Sequence, residues 1–251
     1  MDKEKSLKGD EQEVTVAIAR FGLTKYSSDR KVWLDKKGRN SKNKIIIHRK
    51  RGSCMGQEMI RLYTRQNDKT LYQLERDGRI INQRVYVEMH FGDIAPLFME
   101  SYDWFTKEAA KRVPKPDDVQ APIWCSISEE NCLRPIPGTV VYILEVPKEQ
   151  VMYFDDVKWD YVLNRIYLPK DEEDAAAYKQ HLKDLGVANG FEFIEGRYKG
   201  MYPEEEQRIR ESWKRCFEID NWTIFNVCGN LWEIRKEWVK KIVRPGETIA
   251  D

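Results

Sequence analysis

Apolar and polar positions alternate with a period of two over Val14-Thr15-Val16-Ala17-Ile18, the spacing of a half-buried strand. Lys31–Leu34 and Ile45–Ile47 predict two further strands. Between them runs a polar stretch, Asp35 to Lys44, with turn residues at Gly38, Asn40 and Asn43. The first dozen residues carry too little apolar surface to predict an ordered element. Periodicity lapses from His48 to Gly56, so a boundary is placed there. Residues 1–56 read as a small N-terminal β element and residues 57–251 as the main domain.

Alternation resumes at Met59 and predicts a strand ending near Arg65. Asn67 or Asp68 caps a short helix through Leu71 and Leu74, and Gly78 stops it. Val85-Tyr86-Val87 reads as a strand. Phe98, Tyr102, Phe105 and Ala109 fall on one stripe of a helix over 94–112, which Pro114 and Pro116 end. Ile123–Cys125 predicts a short strand, the β-branched run from Thr139 to Val146 a central one, and Val151–Phe154 a third. Asp155 or Asp156 caps a helix with Trp159, Val162, Leu163 and Ile166 on one face. Asp171 caps the next, which carries Ala175, Tyr178, Leu182 and Leu185 and closes at Gly186. Residues 187–202 predict a mobile surface loop. Pro203 opens a helix bearing Ile209, Trp213 and Phe217. Thr223–Cys228 and Leu231–Ile234 read as strands, followed by a helical turn at Trp238 and a strand near Lys241–Val243. The succession is that of an α+β fold, with mixed or antiparallel sheets and flanking helices.

Composition narrows the setting. The net charge of +1 hides an asymmetry: residues 1–53 hold 15 Lys+Arg against 7 Asp+Glu, and the remainder holds 28 against 35. A basic arm of +8 thus precedes an acidic body of −7. No apolar run reaches the ~20 residues that span a bilayer, so no membrane partner is expected and the chain reads as cytoplasmic. The five cysteines are odd in number and irregular in spacing, which implies free thiols rather than a disulfide framework.

Chemistry-bearing motifs are sparse. Phosphate-cradling glycine loops, zinc-helix signatures and nucleophile elbows are missing. The three histidines, His48, His90 and His181, are too few for an imidazole metal site, and none is assigned. His90 is a candidate base, whereas His181 sits on a charged helix face and reads as solvated. Lys36, Lys37, Arg39, Lys42, Lys44, Arg49, Lys50 and Arg51 form a cationic stretch able to neutralise phosphates, with Trp33 and His48 available for stacking. The same charges equally suit a solvated hairpin rim. Five of the eight tryptophans, Trp104, Trp124, Trp159, Trp213 and Trp232, sit inside short polar clusters rather than in apolar runs. Such indoles either stitch a core by hydrogen bonds or line a pocket.

From Met59 to Arg244 the chain resembles a bacterial and phage family classed as a domain of unknown function. The likeness rests on Leu62-Tyr63-Thr64-Arg65-Gln66, Tyr102-Asp103-Trp104, Pro122-Ile123-Trp124 and Leu144-Glu145-Val146-Pro147. It continues through Trp159 with Val162-Leu163-Asn164, Ser212–Phe217 and Leu231-Trp232-Glu233-Ile234. It departs at Cys125-Ser126, where the family carries an aromatic, and at Cys228, where it carries Gln. A more distant likeness, in Leu62–Arg65 and then Leu71 to Gly78, is to the opening of ADP-ribosyltransferase-like domains, which bind NAD between two small sheets. That resemblance implies an ADP-ribosyltransferase-like body in which Arg61, Tyr63 or Arg65 holds the phosphates and Trp124 stacks on nicotinamide. Asn164 joins the cofactor-binding set. Glu233 is the implied catalytic carboxylate, stabilising the positive charge that develops as nicotinamide leaves. The acceptor would be a host protein or a nucleic acid. Read without the resemblance, Tyr63 and Trp124 are core aromatics, Asn164 caps a helix and Glu233 is an exposed strand residue.

Three functional expectations follow: an NAD-dependent transferase of bacterial or phage conflict, a nucleic-acid binder using the basic stretch, or a protein-interaction module whose acidic body takes a basic partner or its own N-terminus in a dimer. The first requires Arg61, Tyr63, Trp124, Asn164 and Glu233 to converge on one cavity.

Overall fold

A computed structural model of the chain describes residues 57–249. The expected N-terminal β element, with Lys36, Lys37, Arg39, Lys42, Lys44, Arg49, Lys50 and Arg51, lies outside the described residues. The elements in order are β1 (Met59–Asn67), α1 (Thr70–Asp77), β2 (Arg79–Ile81), α2 (Arg84–Phe91), α3 (Ala95–Ala110), β3 (Ile123–Ser126), β4 (Thr139–Pro147) and β5 (Met152–Asp155). They continue with α4 (Asp156–Leu163), α5 (Glu172–Asp184), α6 (Phe191–Ile194), α7 (Pro203–Ser212), β6 (Val227–Leu231), β7 (Glu233–Arg235) and β8 (Val239–Val243). The fold is α+β.

Six strands form one sheet in the order β5-β6-β3-β1-β4-β8, with every neighbour antiparallel. β2 and β7 pair as a separate ribbon in which Ile80 faces Ile234. β1 lies within the sheet because it pairs with β4 along its whole length and with β3 at Tyr63–Ser126. Strand alternation divides the core. Leu62 of β1, Cys125 of β3, Tyr142 and Leu144 of β4 and Leu231 of β6 face Leu74 of α1, Ile80 and Ile234 of the ribbon, and Trp238. Trp124, Phe154 and Cys228 point the opposite way, into a layer built from α3, α4, α5 and α7. Gly229 of β6 allows the close approach: a Cβ there would stand 3.2 Å from Val151 Cγ1 and 3.3 Å from Leu62 Cδ2.

Local signals set most boundaries. Gly78, at φ +70°, closes α1 through its N–H to the Leu74 carbonyl. The Asp155 carboxylate accepts from the backbone N–H groups of Val157 and Lys158, and Asp171 accepts from that of Asp174, capping α4 and α5.

Four departures from the sequence reading have physical causes. Val85–Val87 is helical: Arg84 bridges Glu88 at 2.9 Å one turn on and also meets Asp103, and Val87 turns inward while Val85 and Tyr86 remain exposed. The expected loop at 187–202 contains α6, whose Phe193 and Ile194 are fully buried. The strand expected from Thr223 begins only at Val227, because Thr223 turns the chain and its carbonyl accepts from the Val227 N–H. β2 is too short to carry a visible period and exists through its pairing with β7.

Four of the five tryptophans in the polar clusters resolve as core, and Trp104 is partly buried against it. Trp124, Trp159, Trp213 and Trp232 are buried. The Trp213 indole N–H donates to the Ile166 carbonyl at 2.9 Å, and that of Trp232 to the Val113 carbonyl at 2.9 Å. These bonds span long sequence separations and supply the partners that buried indoles need. Cys125, Cys132, Cys216 and Cys228 are buried free thiols. Burial pushes Cys132 up to about 11, which keeps it a thiol at neutral pH.

Candidate functional site

The residues singled out from sequence fall in separate places. Arg61, Tyr63 and Arg65 share one face of β1. Arg61 is exposed and reaches Glu145 at 3.3 Å, which also holds Lys240 at 3.2 Å. Tyr63 packs on the small cluster of Cys132, Val141, Ile143, Val243 and Ile249. Arg65 is half-buried: its Nη1 donates to the Arg134 carbonyl at 3.0 Å, and its Nη2 is buried without an acceptor. Desolvation lowers the Arg65 pKa. The Tyr63–Ser126 register carries Arg65 opposite Trp124 on this face.

Trp124 itself is enclosed by aromatic rings, with centroids of Phe105 at 4.8 Å, Phe154 at 4.9 Å and Trp159 at 5.3 Å. Its ring faces are taken up by these neighbours. Asn164 follows α4, where its Nδ2 donates to the Asp160 carbonyl at 2.7 Å.

Glu233 belongs to the ribbon. It is 5% exposed rather than the exposed strand residue of the simplest reading. Arg79 Nη1 lies 2.8 Å from its Oε2 and Arg235 Nε 2.6 Å from its Oε1, while Arg79 also meets Asp118. Burial raises the carboxyl pKa, but the two guanidinium partners outweigh it and hold Glu233 below the ordinary glutamate range. It is therefore ionised at neutral pH with both oxygens engaged. The cavity beside it, lined by Pro114, Pro116, Gln150, Trp232, Arg235 and Trp238 among others, measures about 120 Å³. Ligand pockets commonly enclose roughly 300–1,000 Å³. Of Arg65, Trp124, Asn164 and Glu233, only Glu233 borders this cavity: Trp124 is packed among the rings of the helical layer, and Glu233 sits on the separate β2–β7 ribbon.

A larger concavity, which sequence reasoning missed, lies where α5 meets α7. Its volume is about 360 Å³, and its lining is His181, Leu185, Met201, Tyr202, Pro203, Glu204 and Glu205. Pro203 starts α7 and places Glu204, Glu205 and Glu206 in its first turn, where the helix dipole favours negative charge. His181 lies in the last turn of α5. Its Nε2 is 2.8 Å from Glu205 Oε1, so it is paired rather than solvated. Behind this pair Tyr178 stacks on Tyr167 with centroids 4.0 Å apart, and its hydroxyl is buried without a partner. The Glu205 Oε2 is likewise buried without a donor. Arg208 lies 3.9 Å from the other Glu205 oxygen, and Glu204 has no ion-pair partner among the described residues. The apolar wall is presented to solvent: Met201 is 65% exposed and Leu185 39%. A glutamate run after Pro203 and a histidine near a helix C-terminus are visible in sequence, but the docking that joins them is not.

Among the described residues no helix is long and apolar enough to cross a membrane. Residues 61–240 match the family described as Domain of unknown function (DUF3841), and the chain belongs to that family. No curated protein and no solved structure matches the chain.

Proposed function

We propose that this family member is a protein-interaction module whose working surface is the groove between α5 and α7. The single observation that carries the reading is an open concavity of about 360 Å³ with exposed apolar walls and carboxylates at its edge. A concavity of this volume, with apolar walls and a few polar groups, is the size that accommodates a bound group. The partner is a protein of the cell in which the chain acts. The test is quantitative affinity capture with wild type, Met201→Asp and a distant surface control, Tyr72→Asp, all verified as folded. Proteins retained by wild type and the control but lost with Met201→Asp support the groove. The same set retained by all three excludes it.

A second reading, NAD-dependent ADP-ribosyl transfer, keeps one favourable observation. Arg65 has a donor without an acceptor on the face it shares with Tyr63. Incubation of folded protein with labelled NAD and cell extract tests it, and the absence of both NAD turnover and label transfer removes it.

A further inference from the structure

Resting on the interaction-module reading, the chemistry of the groove also specifies what enters it. Two features of different kind meet there. Leu185, Met201, Tyr202 and Pro203 supply an apolar wall. Glu204 and Glu205 supply negative charge that the surrounding structure leaves under-neutralised. Glu204 lacks an ion-pair partner among the described residues. Glu205 has His181 at 2.8 Å, whose charge depends on protonation, and Arg208 only at 3.9 Å. The body that carries the groove is acidic, with 28 basic against 35 acidic residues after position 53. An amphipathic cation satisfies both features, since lysine and arginine lay their methylenes on apolar surface while the head stays near charge and water.

We infer that the groove seats a cationic side chain, lysine or arginine, presented by a partner protein. The methylene stem lies against Leu185 and Met201 and the charged head lies at the exposed Glu204, beside the His181–Glu205 pair. A purely apolar residue would leave the carboxylates without a counter-charge, and an acidic one would be repelled by them.

The experiment uses the full chain labelled with [methyl-¹³C]methionine, with the Met201 resonance assigned through Met201→Leu. The probes are Nα-acetyl-lysine N-methylamide and its norleucine analogue, which has the stem without the charge. The expected result is saturable movement of the Met201 methyl by the lysine probe. Its affinity should exceed that of the norleucine analogue by about five-fold, the scale of a partly exposed ion pair. That gap should close in Glu204→Gln, a substitution at an exposed site that leaves the fold intact. Equal affinity for the two probes would overturn the cation seat while leaving an apolar interaction groove standing. No movement with either probe, in folded protein, would overturn both. A Met201 resonance that shifts, without any probe, on charge reversal of Lys36, Lys37 and Arg39 would assign the seat to the chain's own basic segment, overturning a separate partner.

Discussion

Replacing Glu233 with Gln separates a structural clip from a catalytic carboxylate. Glu233 ties the β2–β7 ribbon together through Arg79 and Arg235, at 2.8 and 2.6 Å. Through Arg79 it also ties the ribbon to Asp118 in the segment after α3. Glutamine keeps one acceptor oxygen, so one guanidinium retains a weakened bond while the other faces an amide donor. Loss of one charge-assisted hydrogen bond costs about 1.5–3 kcal/mol. The two arginines are partly exposed, with side chains 35% and 50% accessible, which moves the value below that of a fully buried pair. A net loss of about 2 kcal/mol is the central expectation. For a body of this size that lowers Tm by about 4–8 °C. The pH dependence carries its own sign. The folded pKa of Glu233 is depressed, so its stabilisation is complete above the unfolded value of about 4.3 and is lost as pH falls through the folded value. The difference between wild type and variant is therefore constant from neutral pH down to about 5.5 and narrows toward pH 4. Calorimetry or circular-dichroism melts across that range measure it. An unchanged Tm at pH 7, accompanied by loss of NAD turnover, would refute the clip and restore Glu233 as a catalytic group.

Other perturbations probe separate parts of the molecule. Asn230 is fully buried between Trp124 and Met152 on β6, and neither amide atom has a partner. Asn230→Val should stabilise by about 1–3 kcal/mol in urea unfolding, through removal of an unsatisfied group, and a loss of stability would contradict this. Gly190→Ala puts a Cβ 2.7 Å from the Tyr178 hydroxyl oxygen, which Tyr178's stacking on Tyr167 hinders from retreating. It should cost about 1–3 kcal/mol, and a neutral result would show that the ring has room. Arg165, buried and at φ +55°, pairs with Glu195 at 2.9 Å. Glu195→Gln should cost about 3 kcal/mol and speed hydrogen exchange across residues 191–202. Unaltered exchange there would show that the pair does not hold the segment.

Features set by neighbours along the chain were legible without coordinates. Gly78, Asp155, Asp171 and Pro203 stop, cap or start helices through bonds and dihedrals confined to a few residues. The period-two stretch of β1 and the β-branched run of β4 likewise announced strands of an α+β body, since both are properties of each strand alone. Tertiary structure decided what depends on distant partners. Val85–Val87, strand-like by propensity, became helix through side chains on α2 and α3. Whether the tryptophans lined a pocket or a core was settled by acceptors such as Ile166 for Trp213, 47 residues away. The groove arises from His181 and Glu205, 24 residues apart on two helices, each ordinary in its own turn. Burial, charge compensation and concavity are properties of the packed assembly of segments, and a one-dimensional pattern carries no term for which segments meet.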